Sequence, residues 1–211
     1  MRRTSREPEL EGPGHALERL TFFSDAVFAI AITLLIIEIH VPEVHGPSSD
    51  RDFLLALAHL IPNFIGFFVS FFVIGSFWAG HHRVFDGARH WDPRIVLPNL
   101  LLLSTIAAMP FFTALSSEYY GHRVPVALYS GWLALAAVAN IWLQRIVTSA
   151  PVVGEHVPAE QRVLLRLRGY ATLLGAVTSL IVALFVPWWG QPALLAIFFW
   201  RILLQRRVRR S

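Results

Sequence analysis

Arg19-Leu-Thr-Phe-Phe-Ser-Asp-Ala-Val-Phe-Ala-Ile-Ala-Ile-Thr-Leu-Leu-Ile-Ile-Glu-Ile-His40 is the stretch on which the reading of the chain turns. Residues 22–41 form an apolar run of about 20 residues, the length a helix needs to cross roughly 30 Å of hydrocarbon. The run nevertheless opens with Ser24-Asp25 and carries Thr33 in its middle. A carboxylate in such a setting costs roughly 3 kcal/mol on insertion scales and marks a functional position by default. The rest of the chain reads as what surrounds, orients and anchors this helix.

Composition supports a polytopic membrane protein. Of 211 residues, 55% are hydrophobic and only 15% charged, and mean hydropathy is +0.54. A soluble domain sits nearer a quarter charged and below half apolar. The long apolar runs do not alternate as barrel strands do. The expected fold class is therefore an all-α membrane protein. The net charge of +4 comes with 18 basic residues, all arginine. They lie in short segments between apolar runs, which points to the positive-inside rule and not to nucleic acid. With no cysteine, a disulfide framework and a thiolate metal site are both excluded.

In order, residues 1–18 read as a disordered mixed-charge cytoplasmic tail, without the apolar core of a signal peptide. Residues 19–204 form one transmembrane domain, and 205–211 a basic cytoplasmic tail. Six spans are expected, near 22–41, 53–78, 95–115, 126–147, 170–186 and 193–204. Pro62 kinks the second, Pro98 and Pro110 bracket the third, and residues 162–168 form a short interfacial helix ahead of the fifth. With the N-terminus inside, 16 arginines fall on the cytoplasmic side and only Arg51 and Arg123 outside, so six spans with both termini inside are expected.

On a helical wheel of about 100° per residue, Phe23, Ala26, Ile30, Thr33, Leu34, Ile37 and Val41 of the first span share one stripe, and Ser24 and Asp25 point away from it. The wheel alone leaves two uses for the stripe: packing against helices or lipid, or lining a pore shared between subunits. In the second case Asp25 is structural, held by an arginine, a histidine or the Trp78 indole.

Arg19-x-x-x-Phe23-Ser24-Asp25, followed by Ala-Val-Phe-Ala-Ile-Ala-Ile-Thr, resembles the signature of the transmembrane protein 175 family of potassium channels. The resemblance continues through Phe77-Trp78-x-x-His81-His82-Arg83-x-Phe85, Asn99 and Pro110-Phe111-x-Thr113. A single six-span unit is similar to the prokaryotic branch, whose members are homotetramers, in which four first helices surround the ion path. The resemblance implies constriction residues at Ile30, Leu34 and Ile37 and a selectivity role for Thr33, with K⁺ passing near Ile30, Thr33 and Leu34. It also implies an intrasubunit polar network of Arg19, Phe23, Ser24, Asp25, Trp78, Asn99 and one of His81 and His82. Helical phase and family position coincide on the same stripe.

The function expected is a potassium-selective cation channel that conducts passively through a hydrophobic constriction, in the plasma membrane of a prokaryote. Its partners are other copies of the chain, the bilayer and K⁺, with no nucleic acid and no cofactor beyond the permeant ion. The alternative is a proton-coupled secondary transporter with Asp25 and His82 as a relay; a further one is an intramembrane enzyme or assembly factor. No nucleotide loop, Ser-His-Asp spacing or catalytic carboxylate pair supports an enzyme. A metal site at His81, His82, Asp86 and His90 is disfavoured, because adjacent histidines on a helix point about 100° apart. Glu38, His40, Glu43 and His45 read as a wet outer rim, and Asn63, Asn140 and Gln144 as hydrogen-bonding glue between helices.

Overall fold

The computed structural model describes residues 13–43 and 49–208, and all of their regular structure is helical. In chain order the α-helices are α1 (Pro13–Ile37), α2 (Asp50–His59), α3 (Ile61–Phe85), α4 (Val96–Ala107), α5 (Met109–Glu118), α6 (Arg123–Val147), α7 (Ala159–Phe185) and α8 (Ala196–Val208). Five stretches are long and apolar enough to cross a bilayer: His15–Ile37, Ile61–Phe85, Pro93–Glu118, Arg123–Val147 and Ala159–Phe185.

Several expected boundaries move, each for a local reason. Residues 13–18, expected to belong to the tail, are helical, since α1 is described from Pro13, where a proline's missing N–H costs nothing. His45 and the end of the basic tail lie outside the described residues. The expected second span divides at Leu60, two residues before Pro62, into the short α2 and the long α3. Asp52 fixes the start of α2, accepting from the Ser49 backbone N–H (2.9 Å) and hydroxyl (2.8 Å). Pro110 interrupts the third span at Ala108, but Phe112 N–H still reaches the Ala108 carbonyl and the rod continues. The interfacial helix expected over residues 162–168 is instead the first part of α7, since no proline separates it from Tyr170. The sixth segment is a 3₁₀ turn (Pro192–Leu195) running into the 13-residue α8, which is not among the five long spans.

The core lies where α6 meets α4, α5 and α7, and where α1 leans on α3, α4 and α5. Phe28, Leu35, Ile74, Leu102, Ile106, Met109, Tyr129 and Leu133 fill it. In a bilayer such packing gains little from water exclusion, since lipid tails are as apolar as leucine; close contact and interhelical hydrogen bonds carry the association. On α7, Ala171, Gly175, Ala176, Ser179 and Ala183 are buried, a small-residue face against its neighbours. A Cβ on Gly175 would lie 2.1 Å from Ile197 Cγ1 and 3.0 Å from its Cα. Only glycine lets α8 dock there.

One end of the bundle gathers the arginines. Towards that end Ser24, midway along α1, meets His81 near the end of α3 and Asn99 near the start of α4. The α3–α4 and α6–α7 loops pair through Arg89 N–H to the Val152 carbonyl (2.8 Å) and Gly154 N–H to the Gly87 carbonyl (2.9 Å). Several arginines also build the loops at this end: Arg94 chelates Asp92, Arg162 donates to the Val157 carbonyl, and Arg166 donates to Thr148 and Ser149.

Candidate functional site

Helix α1 has two faces of opposite character. Leu17, Ser24, Phe28, Ala31 and Leu35 are buried, with Phe28 and Leu35 both 1% exposed. They fall about 100–160° round the wheel from Ile30. The other face is bare in the single chain: Ile30 is 58% and Ile37 66% exposed, and Phe23, Thr33 and Leu34 are exposed with them. Six residues of the expected stripe, Phe23, Ala26, Ile30, Thr33, Leu34 and Ile37, are thus the side of α1 that its own bundle leaves uncovered; the seventh, Val41, is exposed beyond the helix, which stops at Ile37. A run of bare isoleucine and leucine of this kind belongs against lipid or against other protein.

Thr33 sits inside that bare face. Its hydroxyl donates to the Ile30 carbonyl at 2.9 Å, a turn back on the same helix. The proton is therefore committed to the backbone, and the oxygen presents its remaining lone pairs outward. In that state the side chain is an oxygen ligand or acceptor.

Behind the bare face runs a buried chain of hydrogen bonds. His81 Nε2 lies 2.9 Å from Asn99 Oδ1, Asn99 Nδ2 donates to Ser24 Oγ at 3.0 Å, and the Ser24 hydroxyl donates to the Leu20 carbonyl at 2.8 Å. All three side chains are buried. With the amide oxygen accepting, the imidazole carries its proton on Nε2, and every donor points the same way along the chain. His81 is held in rotation by Phe85, whose ring stacks at 4.5 Å, and by Phe28 at 5.6 Å.

Asp25 belongs to a second, more exposed contact. It accepts from the Trp78 indole N–H at 2.9 Å, and Trp78 in turn stacks on His82 at 6.0 Å. His82 faces outward and comes within 3.7 Å of Asp86. The structure therefore brings Ser24, His81 and Asn99 into one cluster and Asp25, Trp78 and His82 into another. His81, not His82, is the histidine bonded to Asn99. Arg19 and Phe23 lie on the exposed side of α1. His81 points into the bundle and His82 out of it, so the two rings do not face a common ion.

Other polar residues emerge that, Thr113 apart, the sequence did not single out. Ser70 Oγ lies 3.0 Å from Tyr129 Oη and 2.7 Å from Thr113 Oγ1, all buried, tying α3, α5 and α6 together. Ser130 and Ser179 meet at 2.7 Å between α6 and α7, and Gln191 donates to Ser116 at 3.0 Å. The only signal in the sequence is a lone hydroxyl or amide within an apolar run, which names no partner. Asn140 and Gln144, expected to bond between helices, are buried with their carbonyl oxygens unpartnered. Outside the spans, the Arg94 guanidinium and backbone N–H hold the Asp92 carboxyl below the usual carboxylate range. The Ser49 backbone N–H and hydroxyl do the same for Asp52.

Residues 19–110 match the family model described as endosomal/lysosomal potassium channel TMEM175. A Streptomyces collinus protein named Potassium channel B446_29190 is 42% identical over 125 residues, covering 57% of this chain and 58% of that protein. Potassium channel Cha6605_3372 of Chamaesiphon minutus is 41% identical over 129 residues, covering 59% of this chain and 63% of that protein. The chain thus matches about three-fifths of the length of these curated relatives. A crystal structure described as a lysosomal potassium-selective channel TMEM175 homolog from Chamaesiphon minutus superposes with a TM-score of 0.76 at 28% identity, over 87% of this chain and 96% of that one.

Proposed function

We propose that this chain, a member of the TMEM175 family over residues 19–110, is a potassium-selective cation channel whose ion path is lined by the bare face of α1. The observation that carries the reading is the division of α1. Ser24, Phe28, Ala31 and Leu35 are fixed within the bundle, while Ile30, Thr33, Leu34 and Ile37 face out of it. Four copies arranged round an axis would turn those faces towards each other. The polar clusters of Ser24, Asn99 and His81 and of Asp25 and Trp78 then set the rotation of each pore helix.

No carbonyl-lined filter loop is present in the sequence. A ring of isoleucine and leucine closes by dewetting, because water in a narrow apolar neck is unfavourable. K⁺ holds its hydration shell less tightly than Na⁺ and loses less there. The outward oxygen of Thr33 supplies a ligand beside the neck. Selectivity is accordingly modest, and small rotations of α1 gate the path.

The same reading places the chain in a prokaryotic plasma membrane, crossing six times with both termini in the cytoplasm. The clustering of arginines at one end of the bundle supports that orientation. The Pro192–Leu195 turn and α8 together reach about 27 Å, close to the ~30 Å core. A proton relay from Asp25 to His82 has less support. The group between them is the Trp78 indole, which donates a proton but accepts none.

Reconstitution in liposomes under opposed K⁺ and Na⁺ gradients tests the function. Wild type passes K⁺ passively; Ile30→Asn wets the neck, raising flux and lowering the K⁺ over Na⁺ preference; Thr33→Ala lowers the preference with less effect on total flux. Absence of passive K⁺ flux from correctly assembled wild-type protein rejects the channel, and saturable flux abolished by Asp25→Asn favours the transporter.

A further inference from the structure

A cavity of about 890 Å³ lies between α3, α6, α7 and α8, and no residue of α1 lines it. Its lining extends along α3 from Ile65 to Arg83, about 27 Å of helix. That exceeds the ~15 Å depth of one leaflet's hydrocarbon. Most of the wall is apolar, but the arginine-rich end is not. There Arg83, Arg168 and Arg201 converge, and both neighbours act electrostatically on Arg168. No aspartate or glutamate lines the cavity, and none of the three guanidiniums has an ion pair among the described residues.

The polar side chains around these arginines are unfinished. Asn140 and Gln144 line the same cavity, are more than nine-tenths buried, and have carbonyl oxygens with no hydrogen-bond partner among the described residues. Arg168 Nε is likewise buried without an acceptor. Gly169, beside Arg168, leaves room for the Gln144 amide, which a Cβ there would meet at 2.6 Å. An unsatisfied buried polar group costs about 1–3 kcal/mol, and three like charges beside hydrocarbon demand an anion. Guanidiniums suit phosphate oxygens. The orphaned carbonyl oxygens need donors, which hydroxyl groups supply.

We infer that this cavity binds an anionic glycerophospholipid of the phosphatidylglycerol type, with its phosphate on Arg83, Arg168 and Arg201, its headgroup hydroxyls on Asn140 and Gln144, and an acyl chain along α3. The inference does not depend on ion conduction. It requires only that the chain lies in a bilayer.

Native mass spectrometry of the full chain, after exchange into micelles with equal phosphatidylglycerol and phosphatidylcholine, tests it. Wild type is expected to retain phosphatidylglycerol selectively, about one per chain. Arg201→Gln and Arg83→Gln, at the two exposed sites of the three, each weaken retention about fivefold, the worth of one basic side chain at an anionic lipid surface. Arg206→Gln, on the same helix but outside the cavity, leaves it unchanged, and excess inorganic phosphate does not displace the lipid. Equal retention of both lipids, or equal loss in Arg206→Gln, overturns the proposal. Displacement by inorganic phosphate overturns it in favour of a free anion. Cavity variants that alter subunit number without altering lipid retention overturn it in favour of a second copy of the chain.

Discussion

Replacing Asn99 by leucine is the most direct test of whether α1 is held by the buried polar chain. The substitution removes two interhelical bonds, 2.9 Å to His81 and 3.0 Å to Ser24. Interhelical bonds in membrane proteins are worth about 0.6 kcal/mol on average and up to about 1.7, so the pair contributes roughly 1–3 kcal/mol. It also strands the buried His81 Nε2–H between the rings of Phe28 and Phe85. An orphaned buried donor adds about 1–3 kcal/mol. Ser24 loses little, because its hydroxyl still donates to the Leu20 carbonyl. The expected loss is about 3 kcal/mol, read by SDS titration of the folded chain in mixed micelles. Adding His81→Phe removes the stranded donor and keeps a ring stacked on Phe85. The double variant is expected to recover at least about 1 kcal/mol relative to Asn99→Leu alone. Additive losses in the double variant, or a neutral Asn99→Leu, would refute the reasoning.

Trp78→Phe keeps the ring but deletes the donor to Asp25. It is expected to lower stability by about 1 kcal/mol and to shift K⁺ over Na⁺ preference in the liposome assay less than Ile30→Asn does. Gly175→Ala presses a Cβ onto the Ile197 backbone at 3.0 Å, which should destabilise the chain by about 1–3 kcal/mol in the same titration. Ile197→Ala rescues it only partly, since the close backbone atoms remain. Asp92 titrates below the usual carboxylate range because of Arg94. A lowered native pKa means stability that is present above the unfolded value of about 3.9 and is lost as pH falls through the native one. The stability gap between wild type and Asp92→Asn should therefore be constant near neutrality and close on strong acidification.

Phase was legible in the sequence where periodicity alone decides it. The stripe through Ile30, Thr33, Leu34 and Ile37 follows from counting residues, and in the structure it is the uncovered side of α1. Breaks were legible only in part. Pro62 and Pro110 announce a disturbance, but a helix can bend through a proline or stop before it. The residue itself does not say which: α2 stands apart from the span Ile61–Phe85, while Pro93–Glu118 is one apolar stretch. Pairing was not legible at all. His81 and His82 are chemically equal in the sequence, and only the position of Asn99 on α4 distinguishes them. The same holds for Ser70 with Tyr129 and for Ser130 with Ser179, partners far apart in the chain. Arginines count equally in a topology rule, whether bonded to a loop like Arg166 or lining the cavity without an ion pair like Arg168.

The two-faced character of α1 also bears on how such a chain can diverge. Ser24, Phe28, Ala31 and Leu35 are each committed to partners on other helices of the same chain, so changing one requires a compensating change elsewhere. Ile30, Thr33, Leu34 and Ile37 make no such demands within one subunit. Their identities can drift singly, and each change is repeated on every copy of an assembly without disturbing the fold that presents it. Heredity thus has a dial on one side of the helix and an anchor on the other.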